Sequence, residues 1–341
     1  MKRIIHFIFQ FFLFVILGTN FYGQNYISYS RSVNRAESFV LQAKYNEAIE
    51  IYDSVFNAYD FCFAEDYFVA LQVACFTNDT SKAIDYIKRC FRAGIDKEYL
   101  LNDLITKKIC TNGFMDEHLD SYDSLSFQYN NSIDKKYRGK MIELTSIDQF
   151  HRDKQQIAHR KHPLRRLIWK LRWKKVIQEI VDIELISNIV ENGYPGEKVI
   201  GVKKLWMLNK YRSNAITEGT ALLIFKHYYA FCKNDYSDIL LKEISKGNLR
   251  PSQYAVILDF QSKFTKQKES YYNQYHLDPD TSEKKIAEIN LRREEIGLES
   301  IDQHTVKYKR AISVNIYYRA LSQNQDTEDL PIEHFFKLMH F

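Results

Sequence analysis

The chain is poor in the two residues that most often interrupt helices. Its 341 residues include only 5 prolines and 11 glycines, fewer than a turn-rich all-β protein of this size needs. Aromatic residues are abundant by contrast, with 24 Tyr and 23 Phe, so large side chains are available to fill a core. The composition therefore predicts a mostly α-helical fold.

Several motifs that mark cofactor and catalytic sites are also missing. The chain has no G-x-G-x-x-G, no P-loop and no G-x-S-x-G, and so lacks the usual signals of nucleotide binding and of a hydrolase nucleophile. It has neither H-E-x-x-H nor paired cysteines at zinc spacing, the patterns that most often bind zinc. We therefore expect no cofactor and no metal.

Cysteine is scarce and shows no paired pattern. The five cysteines are Cys62, Cys75, Cys90, Cys110 and Cys232, and no C-x-x-C occurs. Export would allow the cysteines to form disulfides, but an odd number of cysteines leaves at least one thiol unpaired. Most of them fall on or near helical apolar stripes, so we expect buried thiols rather than structural disulfides.

The N-terminus contains an apolar run that follows a basic pair. Residues 4–18 are apolar apart from His6 and Gln10, and Lys2 and Arg3 precede them. The run is shorter than the roughly 20 residues that span a bilayer. We therefore predict a signal peptide at residues 1–23 and an exported protein, periplasmic or secreted, with an uncleaved anchor as the alternative.

The net charge is weakly positive, but one segment is strongly basic. The formal charge is +5, and we expect no nucleic-acid partner from so small an excess. Residues 159–175, HRKHPLRRLIWKLRWKK, contain eight Lys or Arg and no acid. The ordinary interpretation is a helix packed on two sides with solvated basic residues between them. The alternative is peripheral contact of the basic helix 163–175 with an anionic membrane.

Residues 31–130 are predicted to form helical hairpins. The segments KYNEAIEIYDSVF (44–56) and DTSKAIDYIKRCF (79–91) both contain Ala-Ile, and a Phe follows eight positions after Ala48 and Ala83. This pattern resembles the tetratricopeptide repeat, in which small residues allow two antiparallel helices to cross closely. It departs from that repeat at Arg35 and in lacking the closing proline. The resemblance implies a groove for a protein or peptide partner, and we expect a third, divergent helical unit in 96–130.

A compact helical domain is predicted for residues 137–310, with 311–341 as an irregular C-terminal extension. The order of five features resembles a bacterial family of domains of unknown function, number 6624 in its series. These features are Asp148-Gln149-x-x-Arg152, Gly193-Tyr194-Pro195-Gly196 with Gly201, His227, Ala255–Asp259, and Arg293 with Ile296-Gly297-Leu298. The chain has Lys226, Phe260 and Asn273 where the family usually has Gln, Arg and Gly. The resemblance implies a fold and a candidate pocket but no reaction.

The candidate catalytic residues are Asp148, Arg152 and His227. Asp148 and Arg152 are four positions apart and share a helix face, so they could form an ordinary surface ion pair. His227 lies on an apolar stripe and could be a core histidine. In a pocket, Arg152 would bind an anion, and Asp148 would orient Arg152 or act as a general base. His227 would act as a general acid or base or contact the ligand.

The remaining candidates are ligand-binding residues. The resemblance adds Gln149, Asp259 and Arg293 to the candidate pocket. Overall, the sequence favours an exported cell-envelope protein that binds or scaffolds a protein or peptide through residues 31–130. The alternative is an enzyme of unknown reaction with a pocket around Asp148, Arg152 and His227.

Overall fold

The fold is mostly α-helical, as the composition predicts. The structure is a computed structural model that describes residues 24–107, 121–161, 163–204, 216–217, 220–263, 270–274, 281–322 and 332–338. The predicted signal peptide and Cys110 lie outside these ranges. The other four cysteines are buried thiols, in agreement with the expectation from their apolar surroundings.

Two helical hairpins and a short helix form the N-terminal part. The helices are α1 (Tyr26–Leu41), α2 (Tyr45–Ala58), α3 (Ala64–Phe76), α4 (Thr80–Arg92) and α5 (Lys97–Asn102). Helix α1 packs against α2, and α3 packs against α4. Ala48 and Ala83 are both fully buried, because a methyl side chain lets the paired helices approach closely. The side chains of Asn25 and Asp79 cap α1 and α4 by accepting backbone N–H groups.

A second, longer hairpin follows. Its helices are α7 (Lys135–Lys161) and α8 (Pro163–Glu179), and α6 (Tyr122–Ser132) precedes them. Pro163 occupies the first position of α8, where the missing N–H has no helical partner to lose. Helix α8 continues as a π-helical stretch, Ile180–Leu185, and then as α9 (Ile186–Asn192). Residues 193–196 form a loop that leads into the short α10 (Glu197–Ile200).

The described residues of the last third form helices and a two-residue antiparallel ladder between β1 (Lys203–Lys204) and β2 (Ile216–Thr217). The helices are α11 (Thr220–Phe231), α12 (Ser237–Ser245), α13 (Pro251–Asp259), α14 (Glu283–Glu295) and α15 (Ile301–Ser322). The 3₁₀ turns Phe260–Lys263 and Ile332–Phe335 complete the described elements. Because α15 continues through residue 311 to Ser322, part of the segment expected to be irregular is helical.

The buried apolar residues form two cores, and helix α1 belongs to the first of them. The first is built mainly from α1–α6, and the second mainly from α7–α9 and α11–α13. Polar contacts from α1 cross between them: Arg31 Nη2 donates to the carbonyl of Glu294 at 2.8 Å, and Asn34 donates to the carbonyl of Gly297 at 2.8 Å. The link between α6 and α7 falls in the region where the sequence predicts a domain boundary, and the division into domains stays a prediction.

The first half of α8 packs on one side only, unlike the two-sided packing expected from its sequence. Trp173 is 6% exposed on the packed face. Leu164, Leu167, Ile168 and Leu171 are between 50% and 66% exposed. At 3.6 residues per turn, these four side chains lie on the face opposite Trp173.

Candidate functional site

Asp148 is the centre of a buried hydrogen-bonded cluster. It is fully buried on α7, and its Oδ2 lies 2.7 Å from Nδ1 of His227 on α11. Its Oδ1 accepts a hydrogen bond of 2.8 Å from the indole nitrogen of Trp173 on α8. Gln149 Nε2 also donates to Oδ2, at 2.7 Å. Arg152 joins the cluster through Gln149 Oε1, at 2.8 Å, rather than through Asp148 directly.

The structure thus brings together four of the six predicted site residues, and the sequence analysis missed the fifth member, Trp173. Its ring packs edge-on against His227 and Phe231, with centroids 4.9 Å apart in each case. Its place on an apolar stripe concealed its role, because periodicity does not show where an indole N–H points. An indole is a donor only. A Trp in the helix that follows Asp148 was therefore the available signal, because a buried indole needs an acceptor.

The cluster has the features of a structural link between helices, and we call Asp148 with Gln149, Trp173 and His227 the clasp. Three donors converge on the two oxygens of Asp148, and burial leaves no open approach to that carboxylate. A carboxylate that holds the Nδ1 side of an imidazole fixes its tautomer, as in the His–Asp pairs of hydrolases. Here the same bonds join α7, α8 and α11, so packing alone is a sufficient reason for them.

The other two predicted residues, Asp259 and Arg293, lie apart from this cluster and hold the segment 270–274 between them. Asp259 accepts backbone N–H groups of Tyr271, Tyr272 and Gln274 at 2.7–3.0 Å. Arg293 is fully buried and donates to the carbonyl of Tyr272 at 2.7 Å. Both charges are thus engaged by the protein itself, and burial lowers the pKa of Arg293.

One residue of this segment has a backbone conformation that few residues other than glycine adopt. Asn273 has φ of 54°, in the left-handed region that glycine adopts freely and asparagine tolerates better than most residues. Asn at this position therefore keeps the turn that a glycine would allow.

A buried charge cluster that the sequence did not predict joins the N-terminal helices to α10 and α13. Arg250 Nη1 lies 3.2 Å from Asp66 Oδ1, and its Nη2 lies 3.9 Å from Glu197 Oε2. Arg250 also stacks over the ring of Phe63 at 3.9 Å. Burial raises the pKa of Glu197 to about 8, although Arg250 and the N–H of Ala64 oppose this shift.

A second buried set of charges joins α1 to α15. Lys307 donates to Glu37, 270 residues away in the chain. His304 Nδ1 and Arg293 Nη2 lie 2.9 Å and 3.4 Å from Glu299 Oε1. Burial alone would raise the pKa of Glu299, but Lys307, His304 and Arg293 hold it well below its usual value.

Three cavities that are formed by described residues lie away from Asp148. The one between α1, α13 and residues 297–307 has a volume of about 40 Å³ and contacts Asp66, Arg250 and Lys307. Another of these three, with a volume of about 740 Å³, is lined by Tyr229, Tyr254 and other residues of α11–α14. A third, about 270 Å³, lies beside α4 and α10. None of the three is lined by Asp148, Gln149, Arg152 or His227.

Comparison with protein-family models, with curated proteins and with solved structures found no match to the chain. Within the described ranges, no group of three or more His, Cys, Asp or Glu side chains is arranged to hold a metal ion. No helix among the residues that the structure describes is long and apolar enough to cross a bilayer.

Proposed function

We propose that the protein is a non-catalytic binding module of the cell envelope, and that its N-terminal helices bind a short peptide with an aromatic-basic-aliphatic sequence. The observation that carries the proposal is the way residues 332–338 of the same chain lie against α2, α3 and α5. We call the surface that contacts this segment the α3 groove. It comprises Gln72 and Glu65 of α3 with Tyr45, Phe76, Tyr99 and Asp103.

The α3 groove recognises the backbone of the segment through one side chain. Gln72 Nε2 donates to the carbonyl of Phe335 at 3.2 Å, and Gln72 Oε1 accepts the N–H of Lys337 at 2.9 Å. Asp103 Oδ2 lies 3.0 Å from the same Nε2 and fixes the orientation of the amide. Because Gln72 pairs with main-chain atoms on both sides of Phe336, its contacts do not depend on the side chains of the segment.

Selectivity would come from the side chains of the segment. Phe336 is 4% exposed, and its ring lies 5.9 Å from that of Tyr45 and 5.5 Å from that of Phe76. Lys337 Nζ lies 3.6 Å from Glu65 Oε1. Leu338 is 3% exposed in the first core. The groove therefore fits the pattern Phe-Lys-Leu, and a partner would carry an equivalent sequence.

Residues 332–338 act in this proposal as a tethered occupant that a partner must displace. A segment held in the same chain acts at an effective concentration on the order of millimolar. Free peptide should consequently bind the intact chain weakly, and weakening the internal segment should open the groove. Deleting residues 31–130 would be a poor test, because it would leave Lys307 and Arg250 buried without Glu37 and Asp66.

The test uses the full chain with the substitutions Phe336→Ala and Lys337→Ala, and a fluorescent peptide with the sequence of residues 331–341. Anisotropy should show at least about tenfold tighter binding to this variant than to the intact chain. A peptide with Phe336→Ala should bind weakly, whereas a peptide with Glu333→Gln should bind like the original. Equal binding of all three peptides, or no binding to either chain, would contradict the proposal.

A second substitution tests the role of Gln72 separately. Gln72→Glu in the opened variant replaces the amide donor by a carboxylate that faces the Phe335 carbonyl and Asp103, so peptide binding should be lost. Gln42→Glu, an exposed change of the same kind at the end of α1, is the matched control and should leave binding unchanged. In the otherwise intact chain, Gln72→Glu should accelerate hydrogen exchange of the Lys337 amide, a measurement that needs no opened variant.

The alternative function, an enzyme that uses Asp148, Arg152 and His227, has one favourable observation, the 2.7 Å contact between His227 and Asp148. The clasp formed with Trp173 accounts for that contact without any ligand.

A further inference from the structure

The outward face of α8 carries an exposed apolar stripe. In residues 163–172 every side chain except Trp169 is exposed. Leu164, Leu167, Ile168 and Leu171 form one row along this stretch. Of the 17 large hydrophobic side chains that are exposed among the described residues, eight lie on α7 or α8. Soluble proteins seldom concentrate exposed apolar residues in this way without a partner for them.

Basic side chains border the stripe along both edges. With 100° between successive residues of a helix, Arg165 and Arg172 fall beside Ile168, and Lys170 and Lys174 fall beside Leu167. No acidic residue occurs between positions 159 and 175. An apolar row between two rows of cations matches the acyl chains and phosphates of an anionic lipid surface, and long basic side chains can reach the headgroups from the edges of such a row.

We propose that α8 lies on an anionic lipid bilayer, with Leu164, Leu167, Ile168 and Leu171 in the boundary between acyl chains and headgroups. Charge favours lipid over a second copy of this chain, because two copies meeting through α8 would bring the same cations face to face. This inference is independent of the peptide groove, since α8 and the α3 groove share no residue.

The clasp around Asp148 gives this surface a rigid base. Trp173 and Ile177, on the inner face of α8, are 6% and 0% exposed. The bond from Trp173 to Asp148 ties α8 to α7, and the edge-on contacts of Trp173 with His227 and Phe231 tie it to α11. Helix α8 can therefore meet a membrane with its outer face while its inner face stays in the protein, and no refolding is required.

The test places a reporter on the stripe in the full chain. Leu171→Trp should be quenched by vesicles with brominated acyl chains when they contain about one third phosphatidylserine, and far less by phosphatidylcholine alone. Leu291→Trp, at a position 62% exposed on α14, is the matched control and should show no quenching beyond that of the native Trp residues, which both variants retain. Because the two chains differ only in the position of the added Trp, membrane contact elsewhere in the chain does not produce the difference.

Charge removal provides the second measurement. Arg165→Gln with Arg172→Gln should weaken binding to anionic vesicles by about tenfold or more. Lys242→Gln with Lys284→Gln removes two exposed cations elsewhere and should change it little. Equal quenching at positions 171 and 291 would overturn the proposal, and so would equal losses for the two double variants. A dimer that shields position 171 in the absence of lipid would also overturn it, in favour of a second copy.

Discussion

The indole nitrogen of Trp173 lies 2.8 Å from Oδ1 of Asp148, and both side chains are buried. This bond joins two helices that are adjacent in sequence, and the contact of Asp148 with His227 adds a third helix from 79 residues further along the chain. The residues that looked most like a catalytic set in the sequence therefore tie together three helices that contribute to the second core. This arrangement predicts that removing a hydrogen-bond donor from Asp148 lowers stability even when the substitution introduces no charge.

Replacing Trp173 with Phe should destabilise the protein by about 2–4 kcal/mol, because it leaves a buried carboxylate oxygen without its donor and removes part of a packed ring. Urea unfolding followed by circular dichroism measures the difference. Trp169→Phe is the control, since Trp169 is only partly buried on the same helix, and should cost less than about 1 kcal/mol. Similar losses for the two variants would show that the bond to Asp148 has no special weight.

Glu197 predicts a pH dependence of stability. Burial raises its pKa to about 8 in the folded protein, whereas in the unfolded chain a glutamate titrates near 4.3. Between these values the folded state binds a proton that the unfolded state does not, so stability falls as pH rises, by up to about 1.4 kcal/mol for each pH unit.

The change Glu197→Gln should abolish this fall, because glutamine has no proton to lose and can still accept the N–H of Ala64. The measurement is the free energy of unfolding of both chains from pH 5 to pH 8.5. The free energy of unfolding of the variant should rise relative to that of the original chain as pH rises. Parallel curves of this free energy against pH would contradict the raised pKa of Glu197.

Two glycines should respond in opposite directions to the same substitution. A Cβ at Gly196 would lie 1.9 Å from the backbone oxygen of Asn248, whereas a Cβ at Gly139 would meet nothing within 4 Å. Gly139→Ala on the exposed side of α7 should stabilise by about 0.5–1 kcal/mol, because alanine favours helix. Gly196→Ala must displace a backbone and should destabilise by more than about 2 kcal/mol. Thermal unfolding of both variants tests the pair, and a tolerated Gly196→Ala would show that the two segments can separate.

How far the sequence predicts the site differs from residue to residue. Asp148, Gln149 and Arg152 were placed on one helix face by their spacing, and the structure puts them there. That Arg152 reaches Asp148 only through Gln149, and that Trp173 is the stronger partner, depends on how α8 lies against α7. The position of Gln72 could have been recognised from the sequence, because it is the single amide within the apolar run VALQVACF. Arg250 and Lys307 offered no such signal, because their partners Asp66 and Glu37 lie 184 and 270 residues away.

By itself, the amino-acid sequence determined the elements: scarce proline and glycine, helical periodicity and the paired alanines specify helices and the faces that they bury. These are local properties, fixed by the 3.6-residue repeat and by side-chain size. Only the tertiary structure decided which helices meet, that Gln72 holds the backbone of Phe335 and Lys337, and that the outer row of α8 stays uncovered. Such contacts depend on the relative placement of helices, where a rotation of one helix changes every partner while its own periodicity remains the same.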